Sequence, residues 1–196
     1  MNFLAVIRPA VRQDAVQLAA LLDIASRGLV LWLWGTITAP GQSAIEVGRA
    51  RILELKESPS HFSNWTVITI ENEIAGAFAG YPISNSQPAK DVADLPSLYQ
   101  PMLELESRAI GSWYIMTLSV FPEFRNQGLG TMMLDRAAEI TRYAGLDKLS
   151  IMLVSDNISA LRLYHRHGFR EISRRKFIPF PGSRDEGDWL LLMKEI

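Results

Sequence analysis

Between Val120 and Thr131 the chain reads Val-Phe-Pro-Glu-Phe-Arg-Asn-Gln-Gly-Leu-Gly-Thr. Upstream, Trp113 to Val120 is rich in β formers; downstream, Leu129, Met132, Met133, Ala137, Ile140 and Ala144 recur at helical spacing. The spacing predicts a strand, a short loop and a helix start, with Gly128 and Gly130 at the first turn. Backbone N–H groups in such a turn have no intrahelical acceptor, and the helix dipole makes their surroundings mildly positive. Gly128 and Gly130 have no Cβ, so a diphosphate can approach the backbone closely. Arg125 adds a fixed positive charge and Thr131 a hydroxyl. The chemistry within reach is anion binding, most naturally of a pyrophosphate, along Arg125, Asn126, Gln127, Gly128, Leu129, Gly130 and Thr131. A glycine pair alone also fits a turn with no ligand. A P-loop does not fit, because no lysine follows the glycines. A Rossmann fingerprint needs three spaced glycines and a later acidic residue, and only Arg-x-x-Gly-x-Gly is present.

A second constellation follows. Gly145 is a natural helix stop, Leu149 to Val154 is a short apolar run, and then Asn157, Ala160, Tyr164, Gly168 and Phe169 stand in order. The first pattern resembles the acetyl-CoA loop of the GNAT superfamily of N-acyltransferases. The second resembles the strand, Asn, Ala, Tyr and Gly-Phe series of that same family. The two motifs stand in the family's order, and the likeness covers about Tyr114 to Glu171 well.

The resemblance implies an acetyl-CoA-dependent N-acetyltransferase that works by direct attack in a ternary complex. Acetyl-CoA would be the co-substrate, anchored by Arg125 to Thr131, with no metal. The backbone of the preceding strand at Leu118 and Val120 would pair with the pantetheine arm, and its N–H groups can face the oxyanion. Asn157 would touch the pantetheine side. Tyr164 would be the general acid for the leaving thiolate, since a phenol of pKa about 10 lies near a CoA thiol; the alternative is a half-core tyrosine with its hydroxyl at the rim. No general base is readable: Glu104 and Glu106 precede the strand, but a solvated helix face is their simpler reading. The leading acceptor is a small molecule with a primary amine. A protein N-terminus or lysine is the rival within the enzyme class, and a non-catalytic CoA-binding regulatory module the rival outside it.

The 196 residues suit a single domain, 1–196, with 48% hydrophobic and 21% charged residues. A net charge of −1 gives no basic footprint for nucleic acid and no general pull towards anionic membrane. The absence of cysteine excludes disulfides and thiolate catalysis, and with them a covalent acyl-thiol intermediate. Met1 to Ala10 reaches Arg8-Pro9 too soon to leave a signal-peptide core. Gly28 to Trp34 is far short of the roughly 20 residues of a membrane span. A cytoplasmic location is expected, and a homodimer is compatible with the sequence. His165 and His167 are two apart, so a helix points them to different faces and they make no metal site. The Arg174-Arg175-Lys176 run reads as a solvated face.

These residues need elements to hold them. Phe3–Ile7 reads as a first strand, Asp14–Ser26 and Ala44–Lys56 as helices, and Leu29–Trp34 as an apolar, aromatic segment. In it, Trp32 and Trp34 are either core or a wall of the acceptor pocket. Trp65–Ile70 and Ile74–Gly80 form a hairpin across Glu71-Asn72-Glu73. The proline-bearing stretch 81–101 is long for a connection and is expected to be a lid-like insertion. Met102–Ala109 reads as a short helix, and Phe169–Lys176 and Trp189–Lys194 as closing strands. The order β-α-α-β-β-insert-β-α-β-α-β-β is similar to the GNAT layout. That layout is an α/β (α+β) fold with a mixed, strongly twisted sheet of about seven strands and helices on both faces.

Overall fold

A computed structural model of the chain describes residues 4–84 and 96–196. Its one seven-stranded mixed sheet runs β1 (Ala5–Pro9), β2 (Trp65–Ile70), β3 (Glu73–Pro82), β4 (Trp113–Val120), β5 (Lys148–Val154), then β7 (Asp188–Glu195) and β6 (Arg170–Lys176). Six α-helices are found among the described residues: α1 (Ala15–Ser26), α2 (Leu29–Gly35), α3 (Ala44–Glu54), α4 (Gln100–Glu106), α5 (Leu129–Tyr143) and α6 (Ile158–Arg166). The mixed α/β fold expected from the sequence is therefore present. The first strand runs on through Pro9, which an edge strand tolerates because its unpaired side has no use for the missing N–H.

The chain divides into two compact units. The first holds residues 1–80 and 116–133. Its core gathers Leu18 and Leu21 of α1, Trp34 of α2, Ile52 of α3, Trp65 and Val67 of β2 and Ala77 of β3. The buried stripe of α1 (Ala15, Leu18, Ala19, Leu21, Leu22) follows the expected helix face. The apolar Leu29–Trp34 segment is itself helical. Arg27 and Gly28, both at positive φ, break the chain between α1 and α2 so that the second helix can turn away. Ser43 and Glu46 form a reciprocal capping box at the start of α3. The hairpin closes on two residues rather than three: Glu71 and Asn72 both take positive φ, as a type I′ turn requires, and Ile70 pairs with Glu73.

The second unit holds residues 81–115 and 134–196. Leu105, Ile115, Leu149, Phe169 and Leu191 are among its fully buried side chains. Here α4 packs against β6 and β7. It starts two residues earlier than the sequence suggests, at Gln100, because Pro101 is well suited to the first turn of a helix. Part of the expected 81–101 insertion, residues 85–95, lies outside the described residues.

Candidate active site

In the first unit, the end of β4 from Met116 on, a 3₁₀ turn at Pro122–Phe124 and the start of α5 bring Leu118, Val120 and Arg125 to Thr131 into one strand–turn–helix. The turn works because Asn126 and Gly128 both adopt positive φ, 62° and 82°. Asparagine tolerates that region and glycine has no Cβ to oppose it. The first α5 hydrogen bond runs from Met132 N to Gly128 O, 3.2 Å. The N–H groups of Leu129, Gly130 and Thr131 consequently have no acceptor among the described residues. Arg125 folds back so that its Nε donates to Val120 O at 3.2 Å, while its side chain stays exposed at the turn. The buried face of α5 runs through Leu129, Met133, Leu134, Ala137, Ala138 and Thr141. Met132 and Ala144, which the spacing placed on it, are exposed.

The parallel ladder of β4 with β5 comprises Trp113↔Leu149, Tyr114↔Ser150 and Ile115↔Ile151. Beyond it β4 continues for Met116 to Val120, which includes Leu118 and Val120. On the same stretch Ser119 Oγ donates to Leu21 O at 2.7 Å.

In the second unit, Asn157 and Tyr164 stand at the two ends of α6. Asn157 is its N-cap: the side-chain oxygen accepts from Ala160 N at 3.3 Å. The cap is held in place by Asp156, whose Oδ2 accepts from the backbone N–H groups of Glu186 and Gly187 at 2.7 and 3.0 Å. At the other end Gly168 takes φ 86° and closes a Schellman motif. In it Phe169 N donates to Tyr164 O and Gly168 N to His165 O, each at 3.0 Å. That reversal returns Phe169 onto the Tyr164 ring, centroid to centroid 5.6 Å. Here is the local reason for a Tyr-x-x-x-Gly-Phe spacing: the glycine turns the chain so that the phenylalanine packs the tyrosine. Tyr164 is 4% exposed, and burial raises its phenol above the ordinary value.

His165 and His167 each turn a ring nitrogen to a backbone carbonyl, Phe169 O at 3.1 Å and Leu163 O at 2.7 Å. Arg174 and Arg175 are not merely solvated. Arg174 pairs with Glu171 and Asp188, and Arg175 pairs with Glu104. Trp34 is buried, and the space a Cβ would take on Gly48 of α3 is filled by its ring.

Glu104 and Glu106 part company. Two residues apart on a helix are roughly 200° apart around its axis, so one faces out and the other in. Glu104 is exposed and bound to Arg175. Glu106 is partly buried, and the hydroxyl of Tyr81 donates to its Oε1 at 3.0 Å. The Tyr81 ring meets Tyr114 edge to face, 5.6 Å between centroids. Burial raises the Glu106 carboxyl above its usual range, and the Tyr81 hydrogen bond offsets that only in part. Burial also raises the Tyr114 phenol, with Tyr81, Glu106 and Tyr164 adding to the effect in that order. Tyr81 and Tyr114 escape a sequence reading because both look like ordinary strand residues; only the pairing with a helix-borne carboxylate marks them.

The model of the acetyltransferase (GNAT) family matches residues 34–169 of the chain. The chain is 30% identical over 83 residues to a mycothiol acetyltransferase of Beutenbergia cavernae, covering 42% of this chain and 27% of that protein. It is 29% identical over 92 residues to an uncharacterized Bacillus subtilis protein, YxbD, covering 40% and 58%. The chain thus spans about a quarter of the first relative's length and less than two thirds of the second's. An N-acetyltransferase from Staphylococcus aureus Mu50 shares the fold, with TM-score 0.68, 19% identity and coverage of 96% of this chain and 100% of that one.

Proposed function

The chain belongs to the GNAT family of acetyltransferases, and we propose that it transfers the acetyl group of acetyl-CoA to a primary amine of a small molecule by direct attack in a ternary complex. The observation that carries this reading is the glycine turn at the head of α5. Its Leu129, Gly130 and Thr131 N–H groups are unspent, in the sequence context the family uses for acetyl-CoA.

In this reading the pyrophosphate of acetyl-CoA takes those N–H groups, with Arg125 supplying charge and Asn126, Gln127 and Gly128 the close backbone approach. The backbone of Leu118 and Val120, beyond the β4–β5 ladder, pairs with the pantetheine arm. The side-chain oxygen of Asn157 caps its helix, so the amide NH₂ is the part that reaches pantetheine. Tyr164 protonates the departing thiolate. A phenol is protonated at neutral pH, the form a general acid must start from, and burial raises the pKa of this one further. The name of the Beutenbergia cavernae relative supports a small-molecule acceptor over a protein one.

A ligand that binds only the native state stabilises it by RT ln(1 + [L]/Kd), about 2.7 kcal/mol at a hundredfold excess over Kd. Acetyl-CoA is expected to raise the melting temperature of the wild type. The Gly130→Val protein is expected to fold and to show no such shift. A Gly130→Val protein that acetyl-CoA stabilises as much as wild type would remove the cradle from the account.

A further inference from the structure

Glu106 sits in an unusual setting for a carboxylate. It lies on α4, in the stretch between β3 and β4, away from both sequence motifs. Its one hydrogen bond among the described residues is to a neutral phenol, Tyr81, and no Lys or Arg pairs with it there. Glu104, two residues before, shows the ordinary alternative, an exposed carboxylate neutralised by Arg175. Keeping a carboxylate partly out of water, with no cation paired to it among the described residues, is costly. A protein recovers that cost when a cation arrives. The two tyrosines beside Glu106 suit one kind of cation in particular. Tyr81 and Tyr114 stand edge to face, and aromatic faces attract ammonium groups. Tyr164 lies close enough to this group to act electrostatically on Tyr114. The same neighbourhood therefore holds the residue assigned above to thiolate protonation.

We propose that Glu106, with Tyr81 and Tyr114 around it, is the seat of the acceptor's ammonium group, so that the enzyme selects primary amines that are cationic in solution. This rests on the acetyl-transfer reading and adds the charge of the acceptor to it. The ammonium sits against the free oxygen of Glu106 while Tyr81 holds the other. One proton then passes from the ammonium nitrogen to the carboxylate, leaving a neutral amine with its lone pair and a neutral acid. The burial that raises the affinity of Glu106 for a proton favours that transfer.

The test titrates 1-butylamine, 2-phenylethylamine and putrescine, all ammonium ions at neutral pH, into the protein saturated with CoA. Aniline, neutral at that pH, serves as the contrast. Wild type is expected to bind at least one of the three ammonium probes and to bind aniline far more weakly. Glu106→Gln keeps the shape and removes the charge, and it should weaken ammonium binding by about tenfold or more. Its affinity for acetyl-CoA should be unchanged and its melting temperature no lower. Tyr81→Phe keeps the ring and should weaken ammonium binding by a smaller factor, while Glu104→Gln should leave it unchanged. Equal ammonium affinity in Glu106→Gln and wild type overturns the inference. So does preference for aniline, or a wild-type CoA complex that binds none of the three ammonium probes, and in each case acetyl-CoA binding leaves the transfer reading standing. A wild type that does not bind acetyl-CoA at all sinks that reading, and the inference with it.

Discussion

Tyr164 is held before any substrate arrives by the helix that carries it and by the Phe169 ring against it, and burial raises its phenol above the ordinary value. In the proposed mechanism this phenol supplies the proton for the leaving thiolate. Tyr164→Phe retains the ring and the packing. It is expected to cut kcat by about a hundredfold, the usual worth of a placed general acid, with acetyl-CoA affinity little changed. The comparison needs a rate limited by chemistry, which a single-turnover measurement secures. An unchanged single-turnover rate would return Tyr164 to the core and hand protonation to water. At this scale the sequence was legible where spacing carried the meaning. Gly128, Asn157, Tyr164 and Gly168 are positioned by local rules of turns and caps, which nearby residues specify. Tyr81 and Glu106 are brought together across 25 residues of chain by tertiary packing. No local pattern announces such a pair, which is why a solvated face looked the simpler reading for both glutamates.

Elements followed from the sequence wherever periodicity was strong. The α1 stripe and the strand–turn–helix around Gly128 stand where the pattern put them, and the β2–β3 hairpin does so with its turn shortened by one residue. The Leu29–Trp34 run is apolar all round and has no period to read, so its helical form was settled by packing instead. That packing is tight. Gly48 of α3 leaves the space the Trp34 ring occupies, and a Cβ there would overlap the ring. Gly48→Ala therefore tests whether Trp34 is core: overpacking of this kind costs about 1–3 kcal/mol, more than the helix propensity gained from Ala. A lowered melting temperature is expected. An equal or higher one would mean the ring can swing aside, and would reopen Trp34 as a pocket wall.

The whole chain carries a net charge of −1, so electrostatic steering by its overall field is weak and recognition has to come from placed groups. Among the described residues no single helix is long and apolar enough to cross a membrane. The placed groups fall into two sets, each internally consistent: the glycine turn with its unspent N–H groups, and the Tyr81, Glu106, Tyr114 and Tyr164 group of the second unit. Fold class and the geometry of the glycine turn were readable because the motifs that carry them are short and local. The acceptor side was not, because its residues are scattered along the chain. The central claim is acetyl transfer by direct attack, and two-substrate steady-state kinetics test it most directly. CoA thiol release is measured while acetyl-CoA and a primary amine that the protein acetylates are varied together, with the acetylated amine identified by mass spectrometry. Direct attack requires amine-dependent release, one acetylated amine per CoA, and double-reciprocal lines that intersect. Parallel lines, the mark of a covalent acyl-enzyme, or thiol release indifferent to the amine, would contradict it.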